Sequence, residues 1–439
     1  MRHTPDVHLN LNVRGMKRSA TVSSNERLAA MERDGKRVYR LGLGQSPFPV
    51  PEPVVEALRA AAPCKDYMPV CGHEPLREAV ASHLWRQQGV RRSAADVLIG
   101  PGTKELMFLL QLVYYGDLVI PTPSWVSYAP QARIIGRRVV LLPTRAENDW
   151  RVTADELDAL CAEDPGRPRI VILNYPSNPT GGTYRADELR EIARVARRHR
   201  FVLLSDEIYG DLHHRGQHVS VARFYPEGTI VSNGISKWCG AGGWRLGAFI
   251  FPSDMRWLLE AMAAAASETY TSVAAPIQRA AITAFAGGLW LDEYLTLSRR
   301  VLAALGRELR SRLRAAGIDC CRPTGGFYLF PDLGPLREGL AEAGITTSDA
   351  LCRRLLEETG VGILPGTDFG RPPEELTARI AYVDFDGAAA LDAAAAVPRT
   401  APLGRRFLEA HCGKMLEAVD RIAEWALSVA RGRAGLRVL

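Results

Sequence analysis

Between Asp96 and Pro252, short apolar runs alternate with amphipathic stretches, and this alternation restricts the fold more than any other feature of the chain. The runs are Val97–Ile99, Leu118–Ile120, Val139–Leu142, Ile170–Leu173, Val202–Leu204, Thr229–Val231 and Leu246–Phe251. Helical patterns such as Glu105–Tyr115 and Ala186–Arg198 lie between several of them. Strands alternating with helices indicate an α/β region built on a mostly parallel sheet. The texture changes near Leu291. A long helical pattern over Leu291–Ala316 leads into a strand over Gly325–Phe330. A helix over Ser348–Thr359, a strand over Ala378–Phe385 and a last helix over about Arg405–Arg431 follow. The expected organisation is an N-terminal segment (1–45) packing with a smaller α+β domain (291–439), and a large domain (46–290) between them. The alanine-dominated stretch Gly387–Thr400 reads as an inserted linker.

Bulk properties exclude several function classes. A chain of 439 residues with a net charge of +6 has the balance of a soluble globular protein. Its basic residues alternate with acids along helical faces, and no basic block or aromatic-interleaved patch points to nucleic acid. The eight cysteines, two of them adjacent at Cys320 and Cys321, form neither a disulfide framework nor a metal pattern. A reduced, cytoplasmic compartment is the expectation. Apolar stretches such as Trp257–Ala266, interrupted by Glu260, are too short to span a bilayer. The N-terminus lacks the apolar core of a signal peptide.

The chemistry concentrates in three segments. Ser232–Gly247 contains Lys237 in a glycine-rich stretch, with Arg245 eight residues on. A lysine there can supply the amine of a Schiff base to a cofactor aldehyde, and an arginine can hold a phosphate. The second segment is Asn174–Gly181, and the third is Ser205–Tyr209. Asp206 closes a strand at the carboxyl edge of the sheet, where open α/β proteins place ligands. An aspartate at such a position also commonly caps a helix, and position alone does not separate the two roles. Gly100–Lys104 follows a strand and opens a helix, so its backbone amides face any anion bound there.

The order Asn-Pro-Thr-Gly, Asp-x-x-Tyr, then Ser-Lys with Gly-Trp-Arg-Leu-Gly resembles the class I and II aminotransferases, pyridoxal-phosphate enzymes of fold type I. The resemblance runs from about Ser19 to about Asp384 and implies a seven-stranded sheet. It also implies a role for each matching residue. Lys237 is the catalytic lysine, and Asp206 faces the pyridine nitrogen and keeps it protonated. Tyr209 and Asn178 donate to the ring oxygen. Gly102, Thr103 and Lys104 form the phosphate cup with Arg245 and Ser236. Trp125 stacks on the ring, and Tyr67 reaches the phosphate of a neighbouring subunit, which makes a homodimer with composite sites. Arg379 grips the substrate α-carboxylate, helped by Asn178 and by the backbone at Gly44.

The implied activity moves an amino group between an α-amino acid and a 2-oxo acid. The same first step serves lyases and synthases that eliminate, replace or form carbon–carbon bonds, possibly on S-adenosylmethionine. This alternative stays open at the level of sequence. The chain departs from the family pattern at Gly234, where many members carry a phosphate-binding hydroxyl, and at Trp238-Cys239 and Gln45-Ser46-Pro47. A non-enzymatic pyridoxal-phosphate regulator would need a DNA-binding module, and no helix-turn-helix pattern precedes the resemblance.

Overall fold

The apolar runs form one sheet. In the computed structural model, which describes residues 8–432, the strands are β1 (Val97–Gly100), β2 (Asp117–Thr122), β3 (Val139–Pro143), β4 (Arg169–Asn174), β5 (Val202–Asp206), β6 (Thr229–Gly234) and β7 (Gly247–Ile250). Their spatial order is β1-β7-β6-β5-β4-β2-β3. Strand β7 runs antiparallel to both of its neighbours, and the remaining pairs are parallel. Three of these strands are buried along their whole length and three more at all but one position, because helices cover both faces and leave no wet side for polar residues to alternate onto.

The helices that bear on the site are α1 (Glu74–Gln88), α2 (Thr103–Val113), α3 (Tyr128–Ile134) and α4 (Ala186–His199). Beyond the sheet come α5 (Leu289–Ala315), α6 (Ser348–Thr359), α7 (Gly387–Ala395) and α8 (Arg405–Ala430). A three-stranded antiparallel sheet joins β8 (Tyr328–Leu329), β9 (Leu364–Pro365) and β10 (Ala378–Ala381), with β10 in the centre. The segment Tyr39–Arg40 pairs in parallel with Val361–Gly362, and Leu41 accepts a hydrogen bond from the Ala381 amide at 2.9 Å. Leu41, which follows that segment, therefore lies against β10. The outer ends of the expected domains, residues 1–7 and 433–439, lie outside the described residues.

Three expectations need correction. The stretch expected to be a linker at 387–400 is in large part α7. Alanine is the strongest helix former, and Asp386 caps the helix by accepting the Ala389 amide at 3.0 Å. Ala390, Leu391 and Ala394 are buried, and the helix lies along α5. Arg300 of α5 fastens it by donating to the carbonyls of Ala394, Val397, Pro398 and Ala401. The strand expected over Gly325–Phe330 is a strand only at Tyr328–Leu329, with an isolated bridge from Gly325 to His213. Gly326, at φ +62°, bends the chain just before it. The strand expected over Ala378–Phe385 likewise stops at Ala381. Among the described residues, no helix is long and apolar enough to cross a membrane, and all eight cysteines are unpaired.

Candidate active site

The carboxyl edge of the sheet carries two rows of residues in register. Asn174, Asp206 and Ser232 stand side by side on β4, β5 and β6. Gly234, Gly247 and Gly100 do the same on β6, β7 and β1. The glycine row leaves a shelf. A Cβ on Gly247 would fall 2.3 Å from the Thr103 amide nitrogen, and one on Gly100 would fall 2.6 Å from Leu106 Cδ2. Without those carbons, the first turn of α2 settles directly onto the sheet edge. Gly102 precedes that turn at φ +88°, a conformation that favours glycine.

Residues 235–246 connect β6 to the antiparallel β7, so Lys237 and Arg245 emerge at this edge together. Gly240 closes the connection at φ +72°, and a Cβ there would meet the Phe48 carbonyl at 2.6 Å. Lys237 is half-buried and its Nζ donates to the Gly44 carbonyl at 2.6 Å. Burial lowers its pKa to about 8, with further lowering by the charges of Arg379, Arg245 and Lys104, while Asp206 opposes them. Such an amine has a substantial neutral fraction near neutral pH.

Asp206 is buried and accepts hydrogen bonds from the Tyr128 hydroxyl at 2.6 Å and the Ser232 hydroxyl at 3.3 Å. Burial raises its carboxyl to about 6, and these hydrogen bonds, with one from the Ile208 amide, hold it from going higher. It caps no helix, since the short turn that follows, Gly210–Leu212, is preceded by Tyr209 at the cap position. Of the two readings open to this aspartate, the helix cap is therefore absent. Tyr128 went unnoticed in the sequence. No local pattern marked it, because its partner Asp206 lies 78 residues further along the chain. Trp125 itself is half-buried and meets the Tyr128 ring edge-on at 5.2 Å.

The elements suited to an anion gather at the N-terminus of α2. Arg245 is exposed, and its guanidinium donates to the carbonyls of Pro101 and Gly242 at 3.2 and 3.0 Å, beside Gly102. Lys104 lies over the Trp125 ring at 5.2 Å, and burial together with Arg245 lowers its pKa. Ser236 is half-buried in the same connection. The absent hydroxyl at position 234 has a steric reason, because a Cβ on Gly234 would lie 2.8 Å from the Leu246 carbonyl.

Arg379, on β10, is almost fully buried. It donates to Asn178 Oδ1 at 3.0 Å and to the Gly42 carbonyl, and its Nε has no partner among the described residues. Its guanidinium lies 4.9 Å from the Tyr328 ring and 5.0 Å from that of Phe369. Burial lowers its pKa. Tyr328 is a second residue the sequence did not signal. Its hydroxyl meets that of Tyr209 at 2.8 Å, and a Cβ on Gly44 would come within 1.8 Å of it. Tyr67, in contrast, is 91% exposed and stands in solvent on the single chain.

A buried acid, an amine of lowered pKa, an anion cup at a helix N-terminus and a buried arginine thus converge on one sheet edge. Residues 36–386 match the family model for aminotransferase class I and II. This chain belongs to that family. An aspartate aminotransferase of Geobacillus stearothermophilus is 34% identical over 364 residues, covering 81% of this chain and 90% of the relative. An asparagine–oxo-acid transaminase of Streptococcus mutans is 30% identical over 381 residues, covering 83% and 92%. Among solved structures, the aspartate aminotransferase from Thermus thermophilus with maleate superposes with a TM-score of 0.81 at 28% identity, covering 95% of this chain and all of the other. The protein is a pyridoxal-phosphate-dependent aminotransferase of fold type I.

The aminotransferase's own residues fit that cofactor. The glycine shelf accommodates the first turn of α2, whose free amides and neighbouring Arg245 suit a phosphate. The Asp206 carboxyl, costly to ionise where it is buried, would be relieved by a protonated ring nitrogen.

Proposed function

We propose that the enzyme transfers the amino group of an α-amino acid to a 2-oxo acid, with Lys237 as the residue that binds the cofactor covalently. The observation that carries this reading is the half-buried Lys237 amine, its pKa lowered to about 8, lying within the electrostatic reach of both Asp206 and Arg379. When bound, the cofactor supplies an aldehyde that exchanges amines and a ring that accepts electrons. The protein's residues do the remainder. Gly102, Thr103, Lys104, Ser236 and Arg245 would hold the phosphate, and Trp125 would cover the ring. Asp206, with its ionised form supported by Tyr128, keeps the ring nitrogen protonated. Tyr209 and Asn178 attend the ring oxygen, although in this structure Tyr209 bonds Tyr328 and Asn178 bonds Arg379.

Arg379 receives the substrate carboxylate with Asn178 and the backbone at Gly44. Its free Nε and fixed plane support a two-point grip. Lys237 then takes the proton from the substrate α-carbon and returns it on the cofactor side, acting as base and then acid. Exposed Tyr67 supports a two-fold homodimer in which it reaches the neighbouring site. We also propose the division into segments 1–45, 46–290 and 291–439, and a cytoplasmic location consistent with the free cysteines.

The test is an absorbance spectrum of the purified enzyme with single amino acids and no oxo acid, followed by borohydride reduction and peptide mapping. One equivalent of oxo acid, formed together with the amine form of the cofactor, would support the reading. So would a cofactor adduct on the Lys237 peptide. Aspartate and asparagine, named for the relatives, are the first donors to try. Continued product release without an oxo acid would instead mean elimination, replacement or condensation.

A further inference from the structure

The residue after the cofactor-binding lysine departs from the family pattern, and its surroundings give it a task. Trp238 is fully buried and is the largest side chain in the molecule to be so. Its indole lies parallel to the His83 imidazole, at 5.9 Å between centroids and 10° between planes. Phe285 closes both rings edge-on, at 5.7 Å from Trp238 and 5.5 Å from His83. His83 comes from α1, a helix that supplies no other group to the site. On its far side, His83 Nε2 meets Asp211 Oδ2 at 3.2 Å, and both residues are buried.

Asp211 lies two residues beyond Tyr209, within the same short turn. Its backbone carbonyl accepts from Arg299 Nε at 2.6 Å. Burial would raise its carboxyl, but His83 and then Arg299 hold it below the usual range. A continuous buried path therefore runs from Lys237 through Trp238, His83 and Asp211 to the turn that carries Tyr209.

We propose that His83 is a positioning residue for Lys237, acting through the indole of Trp238 and tied by Asp211 to the turn of Tyr209. This rests on the reading that Lys237 binds the cofactor. Three apolar rings would fill the same space without the cost of burying a polar pair. They would, however, slide over one another freely. The bond to Asp211 sets the plane of the imidazole, and the imidazole sets the plane of the indole. The indole fixes the backbone from which Lys237 projects. Two groups proposed to contact one bound molecule are thereby held in fixed relation, though they come from separate loops.

The test compares the wild-type holoenzyme with His83→Phe, which keeps a flat ring but loses the bond to Asp211, and with His83→Gln, which can still donate to it. Three quantities are read: kcat and KM, thermal stability, and the midpoint of the pH titration of the bound cofactor's absorbance. The charges nearest Lys237 (Arg379, Arg245, Asp206 and Lys104) and those nearest Asp211 (Arg299 and His218) are unchanged in both variants. His83→Phe is expected to lower kcat about tenfold with KM little changed, a cost in keeping with a misplaced reacting group. It should also shift the titration midpoint, and His83→Gln should recover most of both effects.

A fall in thermal stability alone, with midpoint and kcat preserved, would overturn the proposal. So would a shift that His83→Gln fails to reverse. If His83→Phe does not fold, Asp211→Asn read in the same titration decides, and an unmoved midpoint and kcat there overturn it equally. Peptide mapping of the reduced wild-type enzyme separates the two readings. An adduct on another lysine refutes the role of Lys237, whereas an adduct on Lys237 with an unchanged His83→Phe midpoint and kcat refutes only the role of His83.

Discussion

Tyr128 donates its hydroxyl proton to Asp206 Oδ2 at 2.6 Å, and both side chains are buried. The bond favours the ionised carboxylate in a place where burial disfavours it. Tyr128→Phe should therefore push the Asp206 carboxyl above about 6 and weaken its hold on a protonated ring. A hydrogen bond to a charged group is worth about 1.5–3 kcal/mol. The expected result is a kcat lowered by roughly one to two orders of magnitude with the cofactor still bound, read from steady-state kinetics and absorbance.

Asp206 also sets a pH dependence in the cofactor-free protein. Its folded pKa of about 6 exceeds the ordinary value of 3.8, so between these values the folded state binds more protons than the unfolded state. Its contribution to stability is then fullest below about pH 4 and is lost as pH rises through about 6. Asp206→Asn should flatten the stability profile of the cofactor-free protein across that window. Denaturant melts at closely spaced pH values would measure it, and an unaltered slope would contradict the assignment.

Capture of the cofactor should follow the Lys237 amine. With its pKa lowered from 10.5 to about 8, the neutral form grows as pH rises and levels off above about 8. Stopped-flow mixing of cofactor-free enzyme with pyridoxal phosphate should show that profile. Arg379→Met removes a neighbouring positive charge, so the profile should move to higher pH. Lys237→Ala should abolish covalent capture at every pH.

The glycine shelf can be tested one carbon at a time. Gly247→Ala places a methyl group where the Thr103 amide now lies, at 2.3 Å, so the first turn of α2 must lift. Cofactor affinity should fall by roughly tenfold or more, because the phosphate would lose aligned backbone donors worth about 1 kcal/mol or more together. Equilibrium dialysis would measure the loss. Gly234→Thr should not restore the family's missing hydroxyl. It would press on the Leu246 carbonyl and weaken binding instead.

Much of the fold was legible because burial on both faces leaves a strand as an uninterrupted apolar run. The expected helix over Ser348–Thr359 matches α6 residue for residue, since Thr347 caps it and Gly360 ends it at φ +75°. That Asp206 and Lys237 come together at one sheet edge was readable from motif order. Strand order was not, because periodicity is blind to which strands pair, and the single antiparallel strand β7 leaves no mark in composition. Alanines at 387–395 misled as a linker because small side chains signal burial only faintly, yet they allow α7 to lie close on α5. Tyr128 and Tyr328 escaped for a different reason. Each acts through a partner distant in sequence, Asp206 or Tyr209, and no local pattern announces such a meeting.

Arg379 is already tied to Asn178 and to the Gly42 carbonyl and sandwiched near two rings, so its guanidinium has no freedom left to lose when a carboxylate arrives. The entropy of immobilising a long side chain is met during folding. With Arg379 as the proposed carboxylate anchor, recognition of the part common to all α-amino acids is uncoupled from recognition of the part that differs. A change of substrate in this scaffold would require new residues only where the side chain lies, with the carboxylate anchor left untouched.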